Sequence, residues 1–243
     1  MNEPKNSLRD SGPGTVDFKR YILRMIGIIL APRRSFTRLN VNPDYWFPIL
    51  FVVIAFIGLR LIMLPEVYEH YSSAEFHDWY MEVRGISDEA ARKDISQMIS
   101  SAPFMIFLEA PFTVLAGTAG IALLLLMIGR FGYKRKMPFK SVFSMVAWAS
   151  IISGFPMLLN IPLKLVNHQW FLPTNLSLIL TPELVGGYFN RFIAIVDIFL
   201  IWQVWLLSVG LSVIYEVSIQ RTVSAVGTMF VFLGVLNALF TGS

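Results

Sequence analysis

The chain alternates between long apolar stretches and shorter polar ones. Each apolar stretch is close to or above the ~18–20 residues that an α-helix needs to cross about 30 Å of hydrocarbon. The regular apolar–polar alternation of membrane-spanning β-strands is absent. The pattern therefore predicts an all-α, polytopic membrane protein with five transmembrane helices. The predicted spans cover residues 45–64, 103–129, 141–166, 192–215 and 222–240.

The predicted membrane domain extends from residue 17 to residue 240, after a tail, residues 1–16, that we expect to be disordered. Residues 17–31, DFKRYILRMIGIILA, place apolar residues at helical spacing and keep the basic residues mostly off that stripe. This pattern predicts an amphipathic helix at the membrane interface, which Pro32 should end. The alternative is an ordinary first helix packed under the bundle. The first span is expected to act as an uncleaved signal anchor.

Two local features refine the predicted helices. In the segment 85–101, GISDEAARKDISQMISS, Ser87 can cap a helix and Asp88 and Glu89 suit its first turn. We therefore predict a helix that continues into the second span, with its acids forming a solvated face rather than a metal or substrate site. In the third span, Gly154 and Pro156 predict a kink.

Composition agrees with a membrane protein and excludes several functions. The chain is 55% hydrophobic and 15% charged, with a mean hydropathy of +0.61. It contains no cysteine, which excludes disulfides and thiol chemistry. No catalytic motif occurs, and His70, His77 and His168 are scattered over predicted outer loops, where weak metal binding near acids is the remaining option. We predict no catalytic activity, no cofactor and no metal site.

Lys and Arg are distributed unevenly between the spans. The first 44 residues carry eight of them and the loop 130–140 carries five. The loop 65–101 instead has eight acids against three bases, and the loop 167–190 has no Lys or Arg. Because the loops richer in Lys and Arg remain cytoplasmic, the sequence predicts a cytoplasmic N-terminus and an outside C-terminus in the inner (plasma) membrane.

The basic residues on the predicted cytoplasmic side are expected to face lipid headgroups. Anionic lipid attracts such residues by ~1 kcal/mol each near the surface. A nucleic-acid patch would use the same residue types, but a topology determinant already explains them. The predicted partners are membrane lipids, anionic on the cytoplasmic side, with a membrane protein or a second copy as a further candidate and no nucleic acid. This headgroup-facing surface comprises Lys19, Arg20, Arg24, Arg33, Arg34, Arg38, Arg130, Lys134, Arg135 and Lys136.

Polar side chains also lie inside the predicted spans. At ~1.5 Å per helical residue, four of them fall about 6–11 Å from the outer boundary. Ionisable groups in a membrane normally face the bundle interior and find partners, so Arg60 should pair with Glu109 or Asp197. The predicted intramembrane polar cluster consists of Arg60, Glu109, Asn160 and Asp197, with Gln203 lying deeper.

This predicted cluster has two interpretations. It can be a structural salt bridge that fixes helix packing, or it can be an outward-facing site for an ion, a proton or a lipid headgroup. A second acid beside one arginine leaves a carboxylate without a compensating charge, which keeps the second interpretation open.

Several stretches resemble the Yip (Ypt-interacting protein) membrane domain family, particularly its prokaryotic members. They are APRRSFTRL near the N-terminus, IGRFGYKRKMPFKSVFSMVAWA after the second span, VDIFLIWQVWLLSVGLSVI in the fourth span, and the outer segment GISDEAARKDISQMI. The likeness covers roughly residues 20–240. The positions that match the family pattern are Asp197, Trp202, Gly210, Gly129, Gly132 and Phe139.

The resemblance implies a five-span integral membrane protein without a known catalytic residue. Eukaryotic relatives are linked to Rab-type GTPases, but this chain lacks their long cytosolic N-terminal region and its tyrosine- and glycine-bearing motif. We therefore expect a non-enzymatic scaffold or organiser that interacts with lipids or protein partners. The alternative is a small transporter or channel component with a polar site formed by Arg60, Glu109 and Asp197.

Overall fold

A computed structural model describes residues 18–166 and 197–240, which form helices joined by short turns, with no β-strand among them. A π-helical turn, Ile128–Gly132, follows the sixth helix. The predicted tail and residues 192–196 of the predicted fourth span lie outside the described residues. The helices are α1 (Phe18–Leu30), α2 (Pro32–Val41), α3 (Trp46–Ile62), α4 (Leu64–Tyr71), α5 (Ala74–Arg84), α6 (Asp88–Met127), α7 (Phe139–Ala149), α8 (Ile151–Val166), α9 (Ile198–Tyr215) and α10 (Ile219–Phe240).

Four segments of the described chain are long and apolar enough to cross a membrane: Asp88–Gly132, Phe139–Val166, Ile198–Tyr215 and Ile219–Leu239. Helices α3 and α4 meet this requirement only together, and they are bent by 47° at the break between them. By length and composition, the described residues thus contain four candidate membrane spans, or five if the bent pair counts as one span. This agrees with a multi-pass helical protein.

The helix predicted to run from the Ser87 cap into the second span is confirmed, whereas the third and fourth spans differ from the prediction. Helix α6 extends without interruption from Asp88 through the second span, and the Ser87 hydroxyl accepts a hydrogen bond from the Ala90 N–H at 3.4 Å, as its capping pattern predicts. The third span is interrupted at Ser150, before the predicted kink at Gly154 and Pro156. Helix α9 begins at Ile198 and not at residue 192, because Asp197 has extended backbone geometry and caps it.

The N-terminal region forms two helices where the sequence predicted one. Pro32 ends α1, as predicted, and is itself the first residue of α2, where its missing N–H breaks no helical hydrogen bond. Tyr21, Met25 and Ile29 of the predicted apolar stripe pack on the core of the bundle. For this stripe the structure therefore shows the packing expected of an ordinary first helix under the bundle.

The centre of the bundle is α7, in which residues 141–149 are all buried. Helices α2, α6 and α9 pack around it, and α3 packs against α6 and α8. Trp148 and Tyr215 are the largest fully buried side chains. By contrast, α6 exposes bulky apolar side chains such as Phe104, Phe107 and Phe112, which suits a helix whose outer face contacts lipid hydrocarbon.

Candidate functional site: polar groups at the two ends of the bundle

Helix α6 alone covers about 60 Å at ~1.5 Å per residue, so its two ends define the two ends of the bundle. We call the end that carries α1, α2 and residues 128–138 the basic end. The opposite end, which carries α4 and α5, is the distal end.

Arg60 and Glu109 form an ion pair at the distal end, between α3 and α6. Arg60 Nη2 lies 3.5 Å from Glu109 Oε1, and both side chains are about half exposed, at 47% and 48%. The Arg60 guanidinium also lies 5.2 Å from the ring centre of Phe56. The two charged groups line a cavity of about 410 Å³ together with apolar residues of α4 and α6. The structure thus brings together two members of the predicted cluster.

Asp197 has a local role in the structure. It is the N-cap of α9, and its Oδ1 accepts a hydrogen bond from the Leu200 N–H at 2.5 Å. The prediction had placed Asp197 about two turns inside a helix, but a short carboxylate just before an apolar helix is also the pattern of an N-cap. Its hydrogen bond therefore provides an acceptor for a backbone N–H in the first turn of α9.

Gln203 and Asn160 are buried, and each has a described hydrogen bond with neighbouring helical residues. The Gln203 amide of α9 donates to the hydroxyl of Ser150, the residue between α7 and α8, at 3.3 Å. The Asn160 amide donates to the Pro156 carbonyl at 2.8 Å, within α8. Both bonds join polar groups that would otherwise face hydrocarbon or apolar side chains.

A second ion pair at the distal end was not predicted. Lys164, near the end of α8, is buried and binds Glu66 on α4. Glu66 lies two residues past the end of the predicted first span, so the sequence pattern assigned it to the loop. Helix α4 is bent by 47° relative to α3, and Glu66 in its first turn contacts Lys164 of α8. The sequence did contain a signal for this ion pair: a basic residue near the end of one predicted span and an acid just past the end of another.

The basic end contains a partly buried polar junction that the sequence also did not reveal. The Asp44 carboxylate binds Arg24 of α1, and the Asp44 carbonyl accepts hydrogen bonds from Ser144 and, at 2.9 Å, from the Trp148 indole N–H. The Arg24 guanidinium lies 5.3 Å from the centre of the Trp148 ring. This junction ties α1 to the start of α3 and to the central helix α7.

The basic segment after the π turn packs on the turn between α9 and α10. Arg135 Nη1 lies 2.9 Å from Glu216 Oε2, and the Tyr133 hydroxyl donates to the Arg221 carbonyl at 3.4 Å. Burial raises the pKa of Tyr133 above its usual value, and the Arg221 charge opposes this with a smaller effect. The phenol therefore stays protonated and can donate this hydrogen bond.

All ten residues of the predicted headgroup-facing surface belong to these basic-end segments. Nine of their side chains are exposed, and Arg24, in the junction with Asp44, is the exception. Lys19, Arg20, Arg33, Arg34 and Arg38 lie on α1 and α2, whereas Arg130, Lys134, Arg135 and Lys136 lie on the π turn and the segment after it.

The described residues form an all-helical fold with several apolar helices of membrane-spanning length, which indicates a multi-pass integral membrane protein. The family model of the Yip1 domain matches residues 26–240, and the chain belongs to this family. The comparisons with curated proteins and with solved structures found no match.

Proposed function

We propose that the chain is a non-catalytic scaffold or organiser of the inner (plasma) membrane, and a prokaryotic member of its family. Its N-terminus is cytoplasmic and its C-terminus is outside. It interacts with anionic lipid, and through lipid with membrane-protein partners. The observation that carries this proposal is the accumulation of nine exposed basic side chains on α1, α2 and residues 130–136.

Charge and position support the lipid contact. Each basic residue near an anionic membrane surface contributes ~1 kcal/mol of attraction, so a group of nine favours anionic lipid strongly over zwitterionic lipid. Loops rich in Lys and Arg also remain cytoplasmic during insertion, which supports an orientation with this end at the leaflet that carries anionic headgroups. The distal end carries acidic residues such as Glu69, Glu75 and Glu82 on α4 and α5 and has no comparable attraction.

Lipid analysis tests this proposal. Membrane patches containing the protein are extracted with a disc-forming polymer, and their lipids are compared with the bulk membrane by mass spectrometry. We expect enrichment of anionic phospholipid around the protein. Replacing Arg130, Lys134 and Lys136 together by Gln should reduce this enrichment, while Arg135 keeps its contact with Glu216.

A matched control removes the same charge from the distal end, with Gln at Arg84, Arg92 and Lys93. This control should retain the enrichment, because these residues face the other side of the membrane in the proposed orientation. A lipid composition equal to the bulk around the unmodified protein would contradict the proposal. Equal losses in the two triple variants would contradict the assignment to the basic end.

A second candidate function, a transporter or channel component, is favoured by one observation. The Arg60–Glu109 ion pair lines a cavity of about 410 Å³ at the distal end. In proteoliposomes this candidate predicts proton or sodium flux that Glu109→Gln abolishes. Glu69→Gln is the control, since Glu69 is exposed on α4 and does not line this cavity. Flux no greater than in protein-free liposomes would contradict the candidate.

A further inference from the structure

A cleft of about 480 Å³ lies between α1 and α2 at the basic end. Volumes of this size are typical of small-ligand sites, which range over about 300–1,000 Å³. Among the residues that the structure describes, no carboxylate lines the cleft. Its charged lining consists of Lys19, Arg20, Arg24 and Arg38.

Neutral hydrogen-bonding groups complete the lining. Ser35 and Asn42 of α2 and its end contribute a hydroxyl and an amide. Gly27 of α1 lies opposite Ser35, and a Cβ at this glycine would come within 2.8 Å of the Ser35 hydroxyl oxygen. The missing side chain therefore lets the two helices approach closely and keeps the hydroxyl in the cleft.

One cation of the cleft is held in place before any ligand binds. Arg24 binds Asp44 and lies over the ring of Trp148, which is fully buried. A guanidinium with a fixed orientation loses little conformational freedom when it binds an oxyanion. Lys19 and Arg38, by contrast, are exposed at the edges of the cleft. The arrangement combines one rigid donor group with two accessible charges.

An uncovered apolar stripe begins at the cleft. Leu23 lines it, and Ile26 and Leu30 follow on the same face of α1, at the spacing i, i+3 and i+7. These side chains are 59%, 44% and 78% exposed. This stripe is distinct from the one that packs on the bundle, so α1 is apolar on both sides.

We propose that this cleft binds the phosphate of an anionic phospholipid, with the lipid's acyl region against Leu23, Ile26 and Leu30. A phosphate diester offers a negative charge and several acceptor oxygens, which match cationic and hydroxyl donors. The carboxylate that pairs with Arg24, Asp44, is not among the residues that line the cleft. The adjoining apolar stripe favours a lipid over free phosphate. The inference rests on the proposed function, because it requires that the basic end faces an anionic leaflet. It adds a discrete lipid-binding site to the general attraction of that end.

Binding of short-chain lipids to the full-length protein in uncharged detergent tests the inference. The probes are dihexanoyl phosphatidylglycerol, dihexanoyl phosphatidylcholine and inorganic phosphate, compared by calorimetry at one ionic strength. We expect saturable binding of one phosphatidylglycerol, with weaker binding of the other two. Arg38→Gln should weaken it about fivefold. Ser35→Ala, which changes one hydroxyl and leaves the charge intact, should weaken it about threefold.

The control is Arg33→Gln, because Arg33 lies on the same helix, is exposed and does not line the cleft. It should leave the affinity unchanged. Equal weakening by Arg33→Gln and Arg38→Gln, with no effect of Ser35→Ala, would replace the discrete site by a diffuse surface and leave the proposed function intact. Equal affinity for inorganic phosphate or for phosphatidylcholine would overturn the assignment to an anionic lipid.

Discussion

Gly129 lies where the π turn after α6 meets the end of α9. A Cβ at this position would lie 2.1 Å from Cζ of Tyr215, a fully buried ring. Atoms cannot approach so closely, and the ring is surrounded by the core. The contact therefore requires a residue without a side chain at 129, and it fixes the distance between two segments that are 86 positions apart in the chain.

Gly129→Ala should consequently destabilise the protein. Overpacking a well-filled site typically costs about 1–3 kcal/mol, so we expect a lower Tm in thermal unfolding of the detergent-solubilised protein. Gly132→Ala is the control, since its nearest neighbour, Ile128 Cγ2, would be 3.9 Å away. Equal melting temperatures for the two variants would show that Tyr215 moves aside at no cost.

At the scale of helices, two ion pairs at the distal end differ in burial. Lys164 is buried where it binds Glu66 and joins α8 to α4, whereas Arg60 and Glu109 are both half exposed. A charged group left without its partner in a buried site is strongly destabilising, while an exposed pair contributes about 0–1 kcal/mol. The buried pair should therefore matter more for how these helices pack.

Glu66→Gln is expected to lower the free energy of unfolding by about 1–3 kcal/mol, because the buried ammonium loses a charged acceptor. Glu109→Gln should change it by less than about 1 kcal/mol. Chemical denaturation in detergent, followed by tryptophan fluorescence, measures both. If Glu109→Gln were the more damaging variant, the exposed pair would be the main structural link between these helices.

The helices also show which parts of the fold could be predicted from sequence. Periodicity and capping residues are local, so the existence of the spans, the stop at Pro32 and the cap at Ser87 could be read from the chain. The bend between α3 and α4 coincides with Pro65 in the first turn of α4, a local signal that the predicted span overlooked. The interruption at Ser150 instead meets Gln203 of α9, which lies 53 positions away. Local patterns do not contain that information.

The polar residues divide in the same way. The charge of Arg60 and Glu109 and their similar predicted depth in the membrane indicated that they could pair, and they do. Asp44 was missed because a lone acid beside aromatic residues resembles an interfacial loop. Its carbonyl accepts a hydrogen bond from Trp148 and its carboxylate binds Arg24, and these residues lie 104 and 20 positions away in the sequence. Contacts over such distances require the three-dimensional arrangement.

For the whole molecule, the charge asymmetry between the two ends predicts the orientation in the membrane. The natural chain has no cysteine, so a single introduced cysteine reports on one side alone. Glu82 on α5 and Lys136 after the π turn are both exposed, and Glu82→Cys and Lys136→Cys each leave the core untouched. Because the basic end should remain cytoplasmic, an impermeant thiol reagent applied to intact cells should label the cysteine at 82 and not the one at 136.

Permeabilised cells are the control, in which both should react. Labelling of the cysteine at 136 alone on intact cells would reverse the orientation and move the proposed phospholipid site to the outer leaflet.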